Sequence, residues 1–83
     1  MDLPNLESDI DNSTPDPLTW DDSYAIALNL KRLHPHENFE DVSLGMIYRW
    51  TLVLPGFNDE PALANDEILA AIYQEWFEEV FLI

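Results

Sequence analysis

The sequence predicts a mainly α-helical single domain with a small β element, and three observations lead to that reading. The stretch after Asn65 carries the strongest helical period in the chain. Of the 83 residues 47% are hydrophobic, with Trp20, Trp50 and Trp76 plus four Phe and three Tyr, which is enough apolar surface for one core without disulfides. Pro35 and the Pro55-Gly56 pair cut the chain into helix-length pieces.

Residues 1–17 hold Asp2, Glu7, Asp9, Asp11 and Asp16 with Pro4, Pro15 and Pro17, and neither an aromatic nor a basic residue. This composition predicts a flexible acidic arm. The folded domain is expected at 18–83.

Asp21, after the apolar Trp20, is placed to cap a first helix running to Leu33, with Trp20 folding back on the first turn. Ile26, Ala27, Leu30 and Leu33 share one face of it. Lys31 and Arg32 suit the negative end of its dipole, and Pro35 stops it. Val42-Ser43-Leu44 alternates as a short strand would. A second helix from Gly45 to Val53 gathers Met46, Ile47, Trp50, Val53 and Leu54 and leaves Arg49 outside. Pro55-Gly56 marks a turn, and residues 57–61 continue it as an acidic loop. Asn65 caps the last helix, Asp66 and Glu67 favour its positive end, and Ile68, Leu69, Ile72, Tyr73, Trp76, Phe77 and Val80 form its buried stripe. Glu67, Gln74, Glu75 and Glu78 fall on the other side.

Charge narrows the function. Seventeen acidic residues against three basic ones give a net charge of −14. Such a surface repels phosphates, which excludes direct nucleic-acid binding, and attracts basic proteins or cations. The absence of cysteine excludes disulfides, thiolate metal sites and a thiol nucleophile, and points to a reducing cytoplasm. No targeting signal or membrane-spanning run is legible. The two histidines, His34 and His36, flank a proline in a loop, a poor setting for a catalytic triad, and so small a chain has no room for a sugar cleft. The chain is therefore read as a non-enzyme.

All three basic residues lie between positions 31 and 49, whereas Asp59, Glu60, Asp66, Glu67, Glu75, Glu78 and Glu79 follow without a cation among them. This predicts a negative patch suited to fast, salt-sensitive docking. Glu75, Glu78 and Glu79 lie three and four apart on the last helix, and with Asp59 and Glu60 they could hold a hard divalent cation weakly and exchangeably. His34 and His36 with Glu37 are a second candidate set. No tightly bound cofactor is expected.

The order of residues resembles a known family. Leu18-Thr19-Trp20-Asp21-Asp22, Ala25-Ile26-Ala27-Leu28, His34-Pro35, Arg49-Trp50, Leu54-Pro55-Gly56-Phe57, Asp59-Glu60-Pro61 and Glu67-Ile68-Leu69-Ala70-Ala71-Ile72, with Trp76 and Glu78-Glu79, are similar to the IscX family of iron-sulfur cluster assembly proteins. The similarity runs from Leu18 to Glu79 without a gap. It implies a modified winged-helix-like fold and a monomeric acidic adaptor that binds a cysteine desulfurase and, weakly, ferrous iron, in competition with a frataxin-like protein. It also implies that Asp22, Asp59, Glu60, Glu78 and Glu79 match the acidic positions, and Trp20, Trp50, Phe57 and Trp76 the core. Gly45 and Met46 stand where a Thr-Asp pair usually starts the second helix, so a polar cap is missing at that point. Glu40 replaces a common Lys, Ala62-Leu63-Ala64 replaces a basic or polar stretch, and residues 80–83 fall outside the similarity. The alternative is an acidic nucleic-acid mimic or antirepressor that occupies a basic DNA-binding groove.

Overall fold

In the computed structural model, which describes residues 17–82, the chain folds as helices α1 (Ser23–Leu33), α2 (Leu44–Leu52) and α3 (Asp66–Phe81) with 3-10 turns at Phe39–Asp41 and Pro61–Leu63. Apart from Pro17, the acidic arm expected at 1–17 lies outside the described residues, as does Ile83.

α1 begins one residue later than expected. Asp22, not Asp21, is its N-cap, and the carboxylate reaches backwards to accept the Thr19 N–H at 2.9 Å instead of bonding the helix. The strand expected at 42–44 does not form. Ser43 Oγ accepts the Met46 N–H at 3.1 Å, and Met46 Sδ approaches the Ser43 N–H at 3.4 Å. This reciprocal cap commits the chain to α2 from Leu44 onward, so the second helix has a polar cap, supplied by Ser43 one residue before Leu44, despite Gly45 and Met46. Among the described residues, β pairing is confined to one parallel bridge, Leu18 with Phe57. The Leu54–Phe57 turn that supports this bridge closes with the Phe57 N–H on Leu54 O at 3.1 Å. Gly56, at φ 86°, occupies the turn position that side chains avoid. Asn65 caps α3 as predicted, its Oδ1 accepting the Ile68 N–H at 2.8 Å.

The core joins Trp20, Ile26, Ala27, Leu30, Ile47, Leu54, Leu69, Ile72 and Trp76. α1 packs chiefly on α3, and α2 closes the third side. Trp20 stacks on Tyr48 of α2 and meets Phe57 edge-on, rather than turning back on its own helix. Trp50 is half-buried. Leu33, Val53 and Val80, counted into the apolar faces by spacing, are 48%, 78% and 42% exposed. Each sits at or beyond a helix end, where the periodic face has run past its packing partner. No helix among the described residues is long and apolar enough to cross a membrane.

One core atom is out of place. Thr51 is fully buried, yet its hydroxyl has no hydrogen-bond partner among the described residues. Since a buried unpaired hydroxyl costs about 1–3 kcal/mol, Thr51→Val should stabilise the protein by about 1 kcal/mol. A thermal melt should then rise by roughly 4–8 °C. An unchanged or lower midpoint would reveal that the hydroxyl serves a purpose.

Candidate docking surface

The carboxylates predicted to form one outward patch take three different roles. Asp22 and Asp59 turn inward and form a polar latch. Asp22 Oδ2 accepts the Thr19 N–H and lies 3.3 Å from Thr19 Oγ1. Asp59 Oδ2 accepts the Trp20 N–H at 3.0 Å, and its Oδ1 accepts the Glu60 N–H at 2.7 Å. The indole N–H of Trp20 completes the latch by donating to the Glu60 carbonyl at 2.8 Å. Backbone bonds from Leu18 N–H to Gly56 O and from Asn58 N–H to Leu18 O run alongside it.

Glu79 binds α3 to α1. Its Oε2 accepts the Tyr24 hydroxyl at 3.1 Å, and its Oε1 lies 3.7 Å from Lys31 Nζ, so it has the positive partner that chain order alone did not reveal. The hydrogen bond to Glu79 and the nearby carboxylate charge hold the Tyr24 phenol above its ordinary pKa of 10.0. The neutral phenol is therefore the form the fold prefers. Its contribution to stability is complete below the unfolded value and is lost as pH rises through the raised one. Tyr24→Phe should flatten this alkaline part of the stability profile, as followed by urea midpoints at increasing pH. A profile identical to the wild type would separate alkaline unfolding from Tyr24.

Glu60, Asp66 and Glu67 remain exposed, in the loop before α3 and on its first turn. Among the described residues none of them forms an ion pair. Farther along α3, Glu75 and Glu78 are half-buried, and Glu78 accepts the Gln74 amide at 2.8 Å. Among the described residues no three Asp, Glu or His side chains gather as a metal-ligating group. Asp59, Glu60, Glu75, Glu78 and Glu79 thus do not converge on an ion, nor do His34, His36 and Glu37. Dispersed carboxylates, three of them engaged with N–H and ammonium donors, do not fit a tightly held cation.

A cleft of about 420 Å³ lies at the C-terminal end of α1, lined by Lys31, His34, Glu37, Phe39, Trp76 and Glu79, with Pro35 and Val80 adding apolar wall. His34 stacks on Trp50 with ring centres 4.1 Å apart and planes at 22°, and its Nδ1 lies 3.7 Å from Glu37 Oε2. Tyr73 ties the turn carrying Phe39 to α3 by donating to the Phe39 carbonyl at 3.3 Å. Sequence reasoning missed this cleft. The His34-Pro35 break at the end of α1 was visible, but nothing local places Phe39 and Glu37 beside Trp76 and Glu79.

A sequence profile described as "Iron-sulphur cluster assembly" matches residues 18–81, nearly the whole described fold. The chain belongs to the IscX/YfhJ family of iron-sulfur cluster assembly proteins. A curated relative of this IscX-type chain, the uncharacterized protein PA3808 of Pseudomonas aeruginosa, is 34% identical over 62 residues, covering 75% of this chain and 94% of the relative. The match reaches Phe81, so residues 80 and 81 of the apolar ending lie within the family span. Trp20 and Asp59, the two halves of the latch, also fall inside it.

Proposed function

We propose that the protein is an adaptor of iron-sulfur cluster assembly, without chemistry of its own, that docks by charge on a basic face of a cysteine desulfurase. The observation that carries the reading is the exposure of Glu60, Asp66 and Glu67 around the start of α3, in a chain of this family and of net charge −14. Oriented carboxylates outside the core attract a cationic partner over a range set by screening, about 8 Å at physiological salt. In this reading the protein acts as a monomer in the cytoplasm and competes with a frataxin-like protein for the same basic face. The fold in this reading is a modified winged helix, which the three helices and the parallel Leu18–Phe57 bridge support. Ferrous iron, in this reading, is met only weakly and exchangeably by single carboxylates among Asp59, Glu60, Glu75, Glu78 and Glu79, and no step of docking depends on it.

Calorimetric titration of a cysteine desulfurase at low and moderate salt tests the proposal. Changing Glu60, Asp66 and Glu67 together to Lys should weaken association about tenfold or more at low salt, since each exposed pair contributes up to ~1 kcal/mol. The circular dichroism spectrum should not change. Absence of binding by the wild-type chain at low salt would end this reading.

A further inference from the structure

The cleft at the end of α1 is separate from the exposed acids at the start of α3, and in it carboxylates meet apolar wall. We infer that it receives one arginine side chain of a basic partner, with the guanidinium seated on Glu37 and Glu79 and the stem against Phe39, Pro35 and Val80. The inference rests on the adaptor reading and names a point of contact within it.

Glu79 is the first support. Its side chain is only 11% exposed and already attracts an ammonium group, that of Lys31, at 3.7 Å. That contact is long and Lys31 is 47% exposed, so the pair is weak and yields readily to a better donor. Lys31 is thus a placeholder for an incoming cation. A guanidinium is the better donor because its planar fork meets carboxylates through two parallel N–H bonds, whereas an ammonium acts as a point charge.

Shape is the second support. The cleft lies at the small end of the ~300–1,000 Å³ typical of ligand pockets, which suits one long side chain. Its lining combines the carboxylates of Glu37 and Glu79 with apolar surface from Phe39, Trp76, Pro35 and Val80, the same combination that an arginine carries along its length. The aromatic wall is held in place before binding, because His34 is stacked on Trp50 and Phe39 meets Trp76 edge-on at 4.8 Å. Beyond the mouth, Phe81 packs on Phe39 and is 58% exposed, leaving apolar surface for whatever backbone carries the arginine.

The test uses matched variants of the full chain, so that net charge is held constant while placement changes. Glu37→Gln and Glu40→Gln each remove one exposed carboxylate, but only Glu37 lines the cleft. Lys31→Met and Arg32→Met each remove one cation from the last turn of α1, but only Lys31 lines it. Each is titrated at low salt with a capped tetra-arginine peptide, and with a tetra-citrulline peptide as a neutral isostere, while backbone amide resonances are followed by NMR.

Tetra-arginine should shift the amides of residues 34, 36–39 and 76–80 saturably, and tetra-citrulline should not. Glu37→Gln should weaken binding about threefold to tenfold, and Lys31→Met should strengthen it. Glu40→Gln and Arg32→Met should have clearly smaller effects. Equal effects within each pair, or shifts spread over every carboxylate, would overturn the inference. The desulfurase itself separates this outcome from the broader reading. If it binds but responds equally to Glu37→Gln and Glu40→Gln, the cleft fails and the adaptor stands. If the peptide seats in the cleft and the desulfurase does not bind, the reverse holds.

Discussion

Trp76→Ala will lower the free energy of unfolding by about 3–5 kcal/mol, the largest single-residue effect in the molecule. Trp76 is 1% exposed and occupies the centre of the aromatic packing, edge-on to Phe39 at 4.8 Å and to Trp50 at 6.1 Å. Removing the indole leaves a cavity walled by α1, α2 and the turn at Phe39, elements too short to collapse into it. Domains of this size rarely exceed the low end of the 5–15 kcal/mol range of native stabilities, so the variant should be substantially unfolded near room temperature. Trp76→Phe should retain most of the stability, because it keeps an aromatic ring at the site. Urea unfolding followed by circular dichroism measures both, and a Trp76→Ala midpoint close to the wild type would refute the assignment of Trp76 as the centre of the core.

Asp59→Ala should be the most damaging change outside the apolar core, at about 1–3 kcal/mol, although Asp59 looks on paper like one more surface acid. Its carboxylate accepts the Trp20 and Glu60 N–H groups, and alanine leaves both without a partner. The Trp20 indole bond to the Glu60 carbonyl then loses the turn that aims it. Glu60→Gln, one residue on, keeps every latch bond because only the Glu60 backbone takes part, and should stay within about 0.5 kcal/mol of wild type. The pair therefore separates two meanings of acidity in this chain. If Asp59→Ala weakens partner binding, its urea midpoint should fall in step, whereas Glu60→Gln acts on binding with the midpoint kept. Equal midpoints for Asp59→Ala and Glu60→Gln would show that the latch bonds carry little.

The helices were readable because their signals are local. Asn65 before an acidic first turn, Pro35 after α1 and the Pro55-Gly56 pair act within a few residues of where they sit, and the helix bounds fall within one or two residues of expectation. The strand at 42–44 failed for an equally local reason that alternation does not register: Ser43 spends its hydroxyl on a cap. Leu33 and Val53 failed because periodicity knows the face of a helix and not where its neighbour stops.

The carboxylates were the least legible part. Composition alone announces that they outnumber cations, but not which of them turn inward. Asp59 is committed by Trp20, 39 positions earlier, and Glu79 by Tyr24, 55 positions earlier. Nothing in the local pattern distinguishes them from Glu60 or Glu67. The family resemblance marked Asp22 and Asp59 as acidic positions, and the latch supplies a reason internal to the fold for acids there.

The bonds from Trp20 to Asp59 and Glu60 close a ring of chain that encloses α1 and α2 and leaves α3 outside. Ring closure costs entropy that grows with the logarithm of the loop, so the contact gains nothing until the enclosed helices have already drawn its ends together. It belongs to the closing stage of assembly and, in reverse, to the first moment at which the whole domain comes apart. In heavy water the amide protons of Trp20 and Asn58 accordingly exchange only as often as the entire ring opens, while those in the final turn of α3 exchange through fraying.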